Sequence, residues 1–155
     1  MAVRKAEDEN EYDDEDDFIL SMFDHEKLDV YQLSLHFLTW VTPLLQEATQ
    51  AHGPKVREAS DHLDRASLSI VLNTAEGNGK RCKLIRTKFF DDARGSATEC
   101  AACLDALVAK GVATKERLRE GKEILVLVVS MLTKLVQLYE GESAVKEDAA
   151  EYQSN

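Results

Sequence analysis

Six consecutive apolar residues, Ile124-Leu125-Val126-Leu127-Val128-Val129, constrain this chain more than anything else in it. They lie within a longer segment, Arg117 to Tyr139, that reads as a helix. At 3.6 residues per turn, six successive positions cover the whole circumference of a helix. A helix that is apolar on every side must be buried on every side. A four-helix bundle buries only one stripe per helix, so the remaining apolar side has to meet something else. A second subunit is the simplest candidate, with Val126, Leu127 and Val129 as interface positions. The β-branched residues of the run would also suit a strand, but the chain offers no second strand for it to pair with.

Three more helices precede this one. Over residues 26–51, Leu28, Tyr31, Leu35, Leu38, Val41 and Leu45 recur at steps of three and four. Pro43 removes one amide donor and should kink that helix near Thr39 to Val41. His52-Gly53-Pro54 closes it, because glycine accepts a left-handed cap and proline disfavours continuation. A second helix runs from about Lys55 to Glu76, with Leu63, Ala66, Ser67, Ile70, Val71 and Thr74 on its buried side. Several of these are small, so this helix can lie close to its neighbours. Gly77-Asn78-Gly79 should end it by the same left-handed chemistry. A third helix, Lys80 to Lys110, carries Leu84, Ile85, Phe89, Ala93, Ser96, Ala97, Cys100, Leu104 and Leu107 at the helical period. Gly95 in its interior costs about 1 kcal/mol relative to alanine, which suggests a close backbone approach there. Gly111 stops this helix and Thr114 is placed to cap the fourth. Four helices with short connections predict an all-α, antiparallel up-down bundle, with no internal repeat and no second domain.

Charge divides the chain. The net charge is −10. Residues 1–17 hold nine acids against Arg4 and Lys5, a net of −7, and residues 141–155 hold four acids against Lys146, a net of −3. Residues 18–140 are therefore neutral. Like-charge runs stay solvated because they bury little apolar surface. The expected organisation is an acidic disordered arm over 1–22, a bundle over 23–141 and an acidic disordered tail over 142–155. A sharper alternative for the arm is a mimic of nucleic acid that folds back on a basic patch. No unbroken apolar run reaches the ~18 residues of a membrane span, so no membrane partner is expected. The acidic start lacks the form of a secretory signal, and three cysteines make no disulfide framework. A cytoplasmic location is expected.

Lys80, Arg81, Lys83, Arg86 and Lys88, followed by Arg94, form the one basic cluster. Steps of three from Lys80 to Lys83 to Arg86 place part of it along one side of a helix start. Positive charge there opposes the helix dipole, so contact with phosphates would explain it better than helix stability, and would make binding salt-dependent. A solvated or subunit-bridging face is the competing and favoured explanation. Phe89, as part of the apolar stripe, is read as core rather than as a base-stacking ring. Asn73 and Glu76 are expected to tie down the turn that follows them. Gly95 and Ser96 read as small residues at a helix crossing, with Glu99 paired to Arg65. No histidine lies close in sequence to activate Ser96. Cys100 and Cys103 could supply two zinc ligands, but two more are needed. The Glu-x-x-His pairs of a di-iron bundle are absent, and His25, His36, His52 and His62 are scattered. No metal, no cofactor and no catalytic residue is expected.

Three segments together carry a resemblance. Leu28-Asp29-Val30-Tyr31-Gln32 opens the first helix. Arg65-Ala66-Ser67-Leu68-Ser69-Ile70-Val71-Leu72-Asn73-Thr74-Ala75-Glu76-Gly77-Asn78-Gly79-Lys80 spans the end of the second. Phe89-Phe90-Asp91-Asp92-Ala93-Arg94-Gly95-Ser96-Ala97-Thr98-Glu99 lies on the third. The chain, over about residues 23–140, resembles the four-helix-bundle proteins encoded in intervening sequences of bacterial 23S ribosomal RNA genes, a family that includes the accessory variability determinant of diversity-generating retroelements. The second segment is the specific one, and departs from the family pattern only at Thr74 and Lys80. The resemblance marks Asn73, Glu76, Gly77, Gly79, Gly95, Ser96 and Glu99 as structural motif positions. It implies an antiparallel four-helix bundle assembled as a ring-like homopentamer, without enzymatic activity. The retroelement member is basic and binds nucleic acid and a reverse transcriptase.

The expected function is that of a non-enzymatic, oligomeric scaffold or adaptor whose first partner is itself. The alternative is a nucleic-acid-binding accessory protein that uses the basic start of the third helix to hold RNA, an RNA–DNA hybrid or a nucleic-acid enzyme.

Overall fold

A computed structural model of the protein describes residues 23–153, with side chains through residue 141. The acidic arm over 1–22 lies outside the described residues. Among these, four long helices account for nearly all of the chain: α1 (Asp29–His52), α2 (Pro54–Gly79), α3 (Lys83–Ala109) and α4 (Lys115–Gln153). A short 3-10 turn, Asp24–Lys27, precedes α1. It falls where the first helix was expected to begin, and extended backbone at Leu28 separates the two.

The helices alternate in direction. Along the α2–α3 seam His62 faces Glu99 and Ser69 faces Ser96, so numbers rise on one helix as they fall on the other. The same holds between α3 and α4, where Asp105 meets Lys122 and Arg86 meets Tyr139. It holds again between α1 and α4, where Glu47 meets Arg117 and Trp40 covers Gly121. Each helix therefore packs antiparallel on its neighbours, as short connections require.

The core is one cluster running the length of the bundle. Phe37 and Val41 of α1, Leu63 and Ile70 of α2, Phe90, Leu104 and Leu107 of α3, and Leu118, Leu125, Val128 and Leu132 of α4 are closed to solvent. Each such side chain contributes about 1.5–3 kcal/mol on burial. On α1 the buried line is Val30, Ser34, Phe37, Val41, Leu44 and Ala48. Leu35 and Leu38 are only half-buried, because α1 carries two apolar stripes and the core takes the one with Phe37.

Several helix ends differ from the sequence reading. Gly53 and Gly111 do adopt positive φ, 53° and 67°. Gly77 and Gly79 do not; α2 runs through both and stops where Lys80 turns extended. The third helix starts at Lys83 rather than Lys80, since Lys80 and Cys82 both have extended backbone. Thr114 caps α4, its hydroxyl oxygen accepting from the Arg117 amide at 3.2 Å. Helical backbone continues to Gln153, into the segment read from sequence as an acidic tail.

The run at 124–129 is buried on one side only. Ile124, Leu125 and Val128 enter the core and Val129 packs at its edge, whereas Val126 is 67% exposed and Leu127 51% exposed.

Candidate functional site

The α2–α3 seam and the turn beyond it hold most of the polar geometry. Ser69, Asn73 and Gly77 are spaced by four, so they lie along one stripe of α2. Ser96 and Phe89 of α3 face that stripe. The Asn73 amide Nδ2 donates to Ser69 Oγ at 3.0 Å, Ser69 Oγ lies 2.9 Å from Ser96 Oγ, and Ser96 Oγ donates to the Asp92 carbonyl at 3.0 Å. Each hydroxyl has one hydrogen. Ser96 spends its own on Asp92, so Ser69 is the donor to Ser96. The result is a one-way relay that crosses between helices and ends on backbone, so neither hydroxyl is held by a general base. Ser69 is absent from the sequence-derived site, although its four-residue spacing to Asn73 and Gly77 was there to be read.

Gly77 is the close approach that the sequence had suggested for Gly95. A Cβ on Gly77 would lie 3.1 Å from Phe89 Cβ and from two ring atoms of Phe90. Nothing lies within 4 Å of the corresponding position on Gly95 or Gly79. Gly95 is exposed and does not sit at a helix crossing within the chain. Of Phe89 and Phe90 the core residue is Phe90, fully buried and stacked on Tyr139 at 6.0 Å. Phe89 is half-buried, with the Lys80 ammonium 5.0 Å above its ring.

Arg86 ties down the turn, the role expected of Asn73 and Glu76. Its Nε donates to the Lys80 carbonyl at 2.9 Å, Nη2 to the Asn78 carbonyl at 3.3 Å, and Nη1 to the Tyr139 hydroxyl at 3.2 Å. These carbonyls end α2, where a positive charge also suits the helix dipole. The guanidinium lies 5.1 Å from the centre of the Tyr139 ring. A fork of donors on a planar group fits this arrangement as a lysine could not. Glu76 instead reaches forward to the Lys80 ammonium at 2.9 Å.

The remaining basic residues do not line one helix face, because Lys80 and Arg81 precede α3. Arg81 is exposed, Lys88 pairs with Asp92 at 3.6 Å, and Arg94 pairs with Asp91. Leu84 beside them is 76% exposed and Ile85 is exposed too, although both were expected in the apolar stripe. Both lie on the outer side of α3, away from the buried side that carries Thr87 and Phe90. A groove of about 410 Å³ between α3 and α4 takes in Leu84, Lys88, Arg94, Thr133 and Gln137.

Glu99 does not pair with Arg65. Its carboxylate lies 3.4 Å from His62 Nδ1, one seam position across. Burial pushes the Cys100 thiol well up, with Cys103 and Glu99 adding to the shift; Cys103 is raised by burial and by Glu99. Both are poor nucleophiles as a consequence. Cys82, in the basic turn, is exposed. Among the described residues no three His, Cys, Asp or Glu side chains gather as a metal site.

The membrane expectation was drawn from unbroken runs, and an average over a window reads differently. Lys115–Gly141 is long and apolar enough to cross a membrane, with a mean hydropathy of 1.6 over its best window. Four of its residues, Leu118, Leu125, Val128 and Leu132, are nonetheless sealed in the core.

An antiparallel bundle with a small-residue, hydroxyl-linked seam and a clamped basic turn defines the class of helical-bundle proteins to which this chain is to be compared. The model of the family described as 23S rRNA-intervening sequence protein matches residues 26–134. The chain belongs to that family. The match takes in α1, α2, α3 and the first half of α4, including every residue of the α2–α3 seam named above. No curated protein matches the chain.

Proposed function

We propose that this protein is a non-enzymatic, cytoplasmic scaffold or adaptor that works as a ring of five copies. The observation that carries the reading is the outer side of α4. Val126 and Leu127 stand exposed between Leu125 and Val128, which are buried, and Leu138 is exposed further along. An apolar strip of this kind on a water-facing helix is stable when another surface covers it. A copy of the same chain supplies that surface at equal concentration, and closed rings satisfy every copy. The number five comes from the resemblance. Lys115–Gly141 serves here as a bundle helix and not as a membrane anchor, because crossing a bilayer would pull Leu118, Leu125, Val128 and Leu132 out of the core. The test is the solution mass of the Val126→Asp/Leu127→Asp variant. Both positions are exposed, so the bundle should stay helical while the assembly falls apart; an unchanged mass overturns the interface.

A second reading has its own support. Lys80 to Lys88 holds five cations and no acid, a local excess that suits phosphates. In this reading the turn binds structured RNA or a nucleic-acid enzyme. Anisotropy titration with a structured RNA at low salt should show binding that weakens steeply as salt rises; no binding at low salt overturns it.

A further inference from the structure

We propose that the acidic arm, Glu7 to Asp17, docks on the basic turn of its own bundle and is the occupant for which that turn is charged. The arm holds nine carboxylates and no cation, and Lys80 to Lys88 holds five cations and no acid. Residues 18–140 are neutral in total, so the turn is a local excess and not part of a basic surface. Topology brings the two together. The 3-10 turn Asp24–Lys27 packs on both α1 and α2. The start of α1 lies beside the end of α2, because the two helices are antiparallel and joined at Gly53. The chain thus enters the bundle at the end where Lys80 and Arg81 sit. From Phe23 back to Asp17 the chain can span up to ~20 Å, and the arm itself up to ~35 Å more. That reach is enough to lay the arm over one end of a bundle of helices ~10 Å in diameter.

The turn also has charge to offer. Arg81 is exposed and has no partner among the described residues. Arg86 donates to carbonyl oxygens and a phenol, and among the described residues it has no carboxylate partner. The Lys80–Glu76 and Lys88–Asp92 pairs are solvent-facing contacts within one helix or its end. Pairs of this kind contribute little and exchange partners readily. A run of nine carboxylates outcompetes single acids by multivalency, since each contact raises the local concentration of the next. Any external polyanion would have to displace the arm first.

The test is zero-length carbodiimide coupling in the full chain, read by peptide mapping. At low salt, acids of residues 7–17 should join Lys80, Lys83 and Lys88 at least fivefold more than Lys55, Lys110 and Lys115, which lie at the opposite end of the bundle. In 1 M NaCl, where the screening length shrinks to ~3 Å, the preference should vanish. Arg81→Glu removes an exposed charge that cannot itself be coupled, and should cut the yield at Lys83 and Lys88 at least threefold with the helical signal intact. Coupling spread evenly over the lysines, or coupling to the turn that neither salt nor Arg81→Glu reduces, overturns the proposal.

Discussion

Gly121 and Trp40 give the account its sharpest energetic test. Gly121 is buried on α4, and the indole of Trp40 from α1 lies across it. A methyl group at Gly121 would overlap ring atoms Cζ3 and Cη2 of Trp40 and stand 2.8 Å from Cε3. On one side the ring is backed by Phe37, stacked at 5.8 Å and itself fully buried, so it cannot give way in that direction. Two effects oppose each other in Gly121→Ala. Alanine is the better helix former by about 1 kcal/mol. Forcing a methyl into a filled site costs about 1–3 kcal/mol, and overlap with two atoms of a rigid ring backed by Phe37 belongs at the upper end. The net expectation is a loss of about 2 kcal/mol, or about 4–8 °C in Tm for a chain of this size. Trp40 is the only tryptophan, so its emission reports this contact without background and should shift in the variant. Gly95→Ala is the control: nothing lies within 4 Å of the new methyl, so the same substitution should stabilise by about 1 kcal/mol. In a Trp40→Leu background the Gly121→Ala penalty should shrink by at least about 1 kcal/mol, the coupling expected of residues in contact. A Gly121→Ala protein that melts at or above the wild-type temperature with unchanged emission would refute the reasoning.

Three further outcomes follow from individual side chains. Ser60 Oγ is buried with no hydrogen-bond partner among the described residues, so Ser60→Ala should raise stability by about 1 kcal/mol in urea titration; a loss would mean the hydroxyl has a partner. Arg86→Ala frees the carbonyls that end α2 and should cost about 2 kcal/mol, with Arg86→Lys recovering less than half because the fork is lost; full recovery by lysine would reduce the clamp to a point charge. For the thiols, Cys82 should react with a disulfide reagent at once and Cys100 only on unfolding. The Cys100 thiol is raised in the fold above its ordinary value of 9.0, so above pH 9 only the unfolded chain releases that proton. Stability should be flat below pH 9 on this account and fall as pH rises beyond it; Cys100→Ala should flatten that fall.

The helices were legible in the sequence because period and punctuation agreed. Gly53 and Gly111 end helices as their neighbours implied, and Thr114 caps where a threonine before a charged first turn should. Faces were harder. Leu35 and Leu38 make as good a stripe as Phe37 and Val41, and only packing against three other helices decides between them. Glycine roles were least legible. Gly77 reads as a helix end and Gly95 as an interior close approach, yet both lie within helices, as does Gly121, and what separates them is whether an aromatic from another helix lies above: Phe89 and Phe90 over Gly77, Trp40 over Gly121, nothing over Gly95. A single sequence contains no record of that. The basic cluster was visible as charge, but not the division of labour within it. Arg86 serves the turn through Asn78, Lys80 and Tyr139, a partner 53 residues away in sequence, whereas Arg81 faces water.

The scaffold proposed for this protein rests on the covering of Val126 and Leu127 by another copy. Light scattering of the full chain at micromolar concentration, at low and high salt, measures that most directly. A mass near five times 17.3 kDa that persists in high salt is the expected result, because apolar contacts are not screened. A mass of 17.3 kDa would mean that the outer side of α4 faces water in solution, and would contradict the scaffold at its foundation.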